Sequence, residues 1–194
     1  MAKTSKSPAK KSTAHSNGSS SKASATKSKK TDEQSGESAR EELMKLFEHA
    51  LKDIYWVEKT LTKAIPKMIK KATSDKLIEA LEEHLEVTEQ QASKLERVFE
   101  AIDKAPRGKK CVGMEGILKE GDELMTEFEG PAIDAAIIAA AQKVEHYEIS
   151  SYNGMITLAR TLDLVKEADI LQSILNEEEE ADRLLGNIAI TAEH

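Results

Sequence analysis

The stretch AAAQKVEHYEISSY, Ala139 to Tyr152, sets Glu145 and Glu148 inside a long and mostly apolar segment. A buried carboxylate is costly unless it is hydrogen-bonded, paired or bound to a metal. The same pattern recurs elsewhere. Glu58 falls between Ile54 and Leu61 on an apolar stripe, and Glu178 falls near the middle of another, with Asp182 one turn later at its edge. Singly, each acid is explained by a side chain at the edge of an apolar face that reaches out to water. Several together in one core cannot all stay ionised, so protons, lysines or a multivalent cation must neutralise them. An oxygen-rich donor set with a histidine and no thiolate suits iron or manganese better than thiolate-bound zinc.

The elements that must position these acids read as helices. Ala, Leu, Glu and Lys dominate beyond residue 37, and aromatic residues are only 4% of the chain, a composition that favours an all-α fold. A first helix is expected from Ser38, where SARE offers a capping box with Glu41, to about Ala72, with Pro66 as a kink or break. A second starts after Thr73 or Ser74 and ends near Asp103. A short helix covers Val112 to Glu127. A third long helix begins at Pro131, the favoured first-turn position, and runs to about Thr161. A fourth, capped by Asp163, runs to about Thr191.

At a helical period of 3.6 residues, the first stripe holds Leu43, Phe47, Ala50, Ile54, Leu61, Ile65 and Met68, with Glu58 among them. The third long helix presents Val144, Glu148, Ser151 and Met155, while Glu145 lies on a second row with Ile138 and Ile149. Three helices thus carry a carboxylate near mid-length on the inward face. The second helix offers His84, Thr88 and Gln91 on its stripe, with Glu89 at the flank. It lacks the Glu-x-x-His pair of di-iron bundles, since Leu81 stands three residues before His84. His84 is read either as a ligand or as a hydrogen-bonded core histidine.

The stretches LKDIYWVEKTLTKAIPKM, EEHLEVTEQQASKLERVFE, GKKCVGMEGILKEG, DAAIIAAAQKVEHYEISSYNG and LNEEEEAD resemble, in order, those of the ferritin-like YciE/YciF family of bacterial proteins. The resemblance covers about residues 40–190. It implies a ferritin-like four-helix bundle with a long crossover between the second and third long helices, usually dimeric, and an association with bacterial stress responses. It also implies a di-metal centre, most simply di-iron, to which Glu58, Glu145, Glu148, Glu178 and Asp182 carry over. His84, Glu89 and Gln91 match the family's second helix. Such a centre implies oxidation of Fe(II) by oxygen or peroxide.

Residues 1–36 are a different material. Eight of the chain's 28 Lys and Arg fall in residues 1–31, where there is no acid, so all 35 acidic residues lie beyond. A segment of Lys, Ser, Ala and Thr buries too little apolar surface to offset its ordering entropy. It reads as a disordered basic arm ahead of a bundle at 37–194. Its SPAKKS resembles linker-histone tails and suits loose contact with DNA, although without arginine or an aromatic it is unsuited to reading sequence. The competing reading of the whole chain is a non-catalytic dimeric scaffold tethered to DNA by this arm.

Other features carry less. Trp56, opposite the first stripe, either anchors a subunit interface or packs under the crossover. Arg107 to Lys110 reads as a solvated basic loop, and most of NEEEEAD as a solvated acidic face. The single Cys111 excludes an internal disulfide and suits a reducing compartment. No apolar run reaches the roughly 20 residues of a membrane span, and no apolar segment of secretory type opens the chain, so a cytoplasmic location is expected.

Overall fold

The computed structural model describes residues 23–192. They form five helices: α1 (Ala23–Lys71), α2 (Asp75–Ala101), α3 (Val112–Glu127), α4 (Pro131–Thr161) and α5 (Val165–Ala192), with no strand among the described residues. The chain divides into two units, Met1–Ala39 and Arg40–His194. The second unit contains α2 to α5 and the part of α1 from Arg40 onward. The first 22 residues of the expected arm lie outside the described residues. From Ala23 the chain is already helical, so α1 begins well before Ser38. Residues 23–37 contain no proline, and their alanines and lysines favour a helix.

Four long helices form the bundle. Tyr55 of α1 meets Phe99 of α2 edge to face at 5.5 Å and donates a hydrogen bond to Glu96. Thr73, at the end of α1, donates from its amide and hydroxyl to Asp134 near the start of α4, while Tyr152, late in α4, reaches Glu58 in mid-α1. Gln142 of α4 bonds Asp182 of α5 at 3.1 Å, and Gln91 of α2 bonds Glu178 of α5. Helix α1 therefore runs antiparallel to both α2 and α4, and α2 and α4 run the same way. Two parallel helices can be joined only by a connection that travels back along the bundle, and residues 102–130 with α3 are that connection. This is the ferritin-like four-helix bundle with a helix in its long crossover.

The core follows the expected stripes. Phe47, Leu51, Ile54, Leu61, Ile65 and Met68 are buried on α1, as are Leu77, Leu81, Ala92, Leu95 and Phe99 on α2. Two local expectations are corrected. Asp163 does not cap α5; it takes a left-handed conformation (φ 60°) that closes α4, its amide donating to Arg160, and its carboxylate receives Arg40 at 3.3 Å. Aspartate tolerates that conformation better than most residues. Ser151 does not occupy the inward row of α4. Its hydroxyl turns back to the Tyr147 carbonyl at 2.7 Å, and Tyr152 is the buried residue.

Trp56 packs under the crossover. The Gly108 backbone lies so close that a Cβ there would stand 2.9 Å from Trp56 Cβ and 3.0 Å from its Cα. Beside it, the Lys109 amide donates to the Lys52 carbonyl at 2.9 Å. Gly108→Ala must push the loop away from α1, and such overpacking is expected to destabilise the fold by about 1–3 kcal/mol. Thermal or denaturant unfolding of that variant beside Gly116→Ala, whose Cβ would meet nothing within 4 Å, is the check.

Candidate metal centre

Four glutamates are buried in mid-bundle: Glu58 on α1, Glu145 and Glu148 on α4, and Glu178 on α5. Their ligand atoms fall into two groups. Glu58, Glu148 and Glu178 each bring a carboxylate oxygen within 4.8 Å of the others, and His84, Glu145 and Glu178 do the same with an imidazole nitrogen. Glu178 belongs to both. The spacing of Glu145 and Glu148, three residues apart, turns both acids of α4 to one side. Helix α1 supplies one acid because its neighbours in the stripe, Ile54 and Leu61, are hydrocarbon.

The carboxylates are poorly supplied with donors. Oε2 of Glu58, Glu145 and Glu178 and both oxygens of Glu148 are buried and receive no hydrogen bond from the protein. Donors that do reach the group come from the side. The Tyr152 phenol donates to Glu58, and the Gln91 amide donates to Glu178 at 2.5 Å and to Glu177 at 3.2 Å. His84 Nε2 lies 3.3 Å from Glu145. The ammonium of Lys94 is engaged with Glu177 at the margin.

Burial drives the electrostatics. It raises Glu58, Glu145 and Glu148 well above the usual carboxylate range, and the charge of neighbouring glutamates adds to the rise. Glu178 is raised to about 7 by burial, opposed by its hydrogen bonds with Glu145 and Gln91. Burial pulls His84 down to about 4, so its imidazole is neutral at neutral pH, the form that binds metals. Burial and the adjacent Glu58 hold the Tyr152 phenol well above its ordinary value.

Among the residues singled out in the sequence, Glu58, Glu145, Glu148, Glu178 and His84 meet in the two groups, and Gln91 adjoins them. Asp182 stands at the edge, partly exposed, held by Gln142 and by His146 at 3.3 Å. Glu89 is not brought in: Thr88, Gln91 and Ala92 take the inward arc of α2, and residue 89 is left exposed. Tyr152 was not anticipated. The signal was its position one turn after Glu148, the spacing that keeps two side chains on one helix face.

The described geometry fits a cation by its own chemistry. Oxygen donors converge from three helices with a neutral imidazole from a fourth, and several receive no hydrogen bond from an amide, hydroxyl or ammonium. Comparison with known proteins places the chain. It matches the model of a domain of unknown function, DUF892, over residues 42–192. It is 42% identical over 147 residues to Protein YciF of Escherichia coli (strain K12), which covers 75% of this chain and 89% of that protein. The crystal structure of the E. coli stress protein YciF superposes with a TM-score of 0.74 at 40% identity, over 77% of this chain and 96% of that one. YcfI from Rhodopseudomonas palustris gives 0.73 at 41% identity, over 74% and 92%. A Xanthomonas campestris protein at 24% identity, with a TM-score of 0.57 over 78% and 92%, shares the fold. A family model spanning most of the chain and close relatives matched along the whole bundle give one conclusion: the chain belongs to the DUF892, or YciE/YciF, family, which includes the stress protein YciF.

Proposed function

We propose that this relative of the stress protein YciF binds two divalent transition-metal ions, iron or manganese, among Glu58, His84, Glu145, Glu148 and Glu178. The observation that carries the reading is the set of buried carboxylate oxygens without donors. Such oxygens are costly in a core, and a shared cation satisfies them where no ammonium does. Glu178 would be common to both ions, with Glu58 and Glu148 on one side and Glu145 and His84 on the other. Tyr152 and Gln91 orient Glu58 and Glu178 by hydrogen bonds, as outer partners of metal ligands do. When bound, iron supplies electron exchange with oxygen or peroxide, which suits protection under stress. The chain's own part is to hold the donors, keep them dry and fix their protonation. Anaerobic titration of the full chain with Fe(II) or Mn(II) is expected to give about two ions per chain, the usual nuclearity of bundle carboxylate sites. Binding no better than that of a Glu58→Ala, Glu178→Ala variant overturns the reading.

The Lys-rich N-terminal segment supports a second, separate role as a DNA tether. Eight lysines without an acid in residues 1–31 make it a polycation. If all of them neutralise phosphates, the logarithm of affinity falls with the logarithm of salt concentration at a slope of at most about −7. Duplex retardation at low salt is expected to disappear when residues 1–36 are removed. Unchanged retardation discards the tether.

A further inference from the structure

Above the acidic cluster the bundle is not filled. A cavity of about 300 Å³ lies between α2 and α5, floored by α1 and α4. Its walls are Leu61, Ile65, Leu81, Val144 and Leu185. Space is left because three of the helices place alanine there, Ala80 on α2, Ala141 on α4 and Ala181 on α5. The space is about half open to solvent, so its apolar walls meet water that an apolar occupant would displace. Glu83, Asn176, Glu177 and Glu180 also line the pocket, and His84 and Glu145 are its buried or largely buried polar groups.

The lining defines what fits. Among the described residues, no lysine or arginine lines the cavity, while Glu83, Glu177 and Glu180 do. A carboxylate or phosphate ligand would leave water for a site with no countercharge. An apolar cavity of about 150 Å³ accepts benzene, so twice that volume suits about twelve carbons.

We propose that this cavity binds an uncharged, largely aliphatic molecule of about ten to twelve carbons with one hydrogen-bonding end, of the alcohol or aldehyde class, its polar end at His84 and Glu145. The site goes beyond the proposed metal function and does not require it, and it shares His84 and Glu145 with that centre. Glu58 and Glu178, which the metal reading needs, are not among the cavity's lining.

The test uses the full chain, metal-free, with 1-aminonaphthalene, ten carbons and uncharged at neutral pH, as the fluorescent reporter and 1-decanol and decanoate as competitors. Saturable binding of one reporter per chain is expected, displaced by 1-decanol at least tenfold more effectively than by decanoate. Ala80→Leu and Ala181→Phe fill the space and are expected to weaken reporter binding at least tenfold, with helicity retained. The Glu58→Ala, Glu178→Ala variant is expected to keep reporter binding, which separates this outcome from that of the metal titration. Absence of saturable binding at concentrations where sedimentation shows single chains overturns the proposal, as does equal or better displacement by decanoate. So does undiminished binding in both filled variants. Should those variants fail to fold, the competition between alcohol and carboxylate still decides.

Discussion

Glu178→Ala is expected to abolish both metal-binding events, whereas His84→Ala removes one and leaves the other. The reason is the sharing of Glu178. Among the described residues it is the one side chain common to both groups of ligand atoms, while His84 belongs to one group and Glu58 and Glu148 to the other. Changing a residue that merely supports a metal ligand costs about 10–100-fold in affinity, so loss of a ligand common to two ions should exceed about 100-fold at each. Titration with Mn(II), followed by its paramagnetic spectrum, reads the stoichiometry directly. Equal effects of Glu178→Ala and His84→Ala would mean that the two groups do not act as separate halves. Glu89→Ala is the matching control, since that side chain is exposed on the outer face of α2.

A second large effect is expected in the metal-free protein. Its stability should fall as pH rises above 6.5. Glu58, Glu145, Glu148 and Glu178 all have folded pKa values above their ordinary 4.5, so the folded state holds their protons more tightly than the unfolded chain. Stability from a raised carboxyl is fully present below about 4.5, the unfolded value, and is lost as pH climbs through the folded value. For Glu178 alone, the rise from 4.5 to about 7 amounts to on the order of 3 kcal/mol. His84 works in the opposite sense. Its folded value is lowered to about 4, so its contribution is present above 6.5 and lost as pH falls from there towards 4. The two effects overlap between about 4.5 and 6.5, and only the carboxyls act above that range. Denaturant melts of chelated protein from pH 6.5 to 9 should therefore show a monotonic decline, and saturating Mn(II) should remove most of it by replacing the protons. A flat profile in chelated protein would mean that these carboxylates are stabilised by something other than protons.

The metal-free chain thus holds four acids in its core, where hydrocarbon would pack better. Replacing buried ionic groups by apolar residues of similar size often stabilises a protein. That residues so unfavourable to the fold occupy the middle of three helices is the physical reason to read them as a site.

The sequence by itself determined the helices, most of their ends and the inward face of each. These depend on local rules: the 3.6-residue period, proline at the start of α4 and the polar break at Thr73 and Ser74. Because the acids sit on those stripes, the burial of Glu58, Glu145, Glu148 and Glu178 was legible too, and the five matching stretches identified the family. Local rules stop where two helices must meet. Gln91 on the stripe and Glu89 at its flank were legible, but that Gln91 reaches Glu178 depends on the rotation of α2 against α5, which side-chain packing sets. The edge position of Asp182 was legible in the sequence, but its partners there, Gln142 and His146 of α4, were not. Tyr152 rather than Ser151 turns inward because a small hydroxyl can satisfy itself on its own helix, while a phenol this large needs a core and found an acceptor in Glu58. The cavity beside His84 was invisible in the sequence, since three separate alanines become one space only when α2, α4 and α5 are brought side by side.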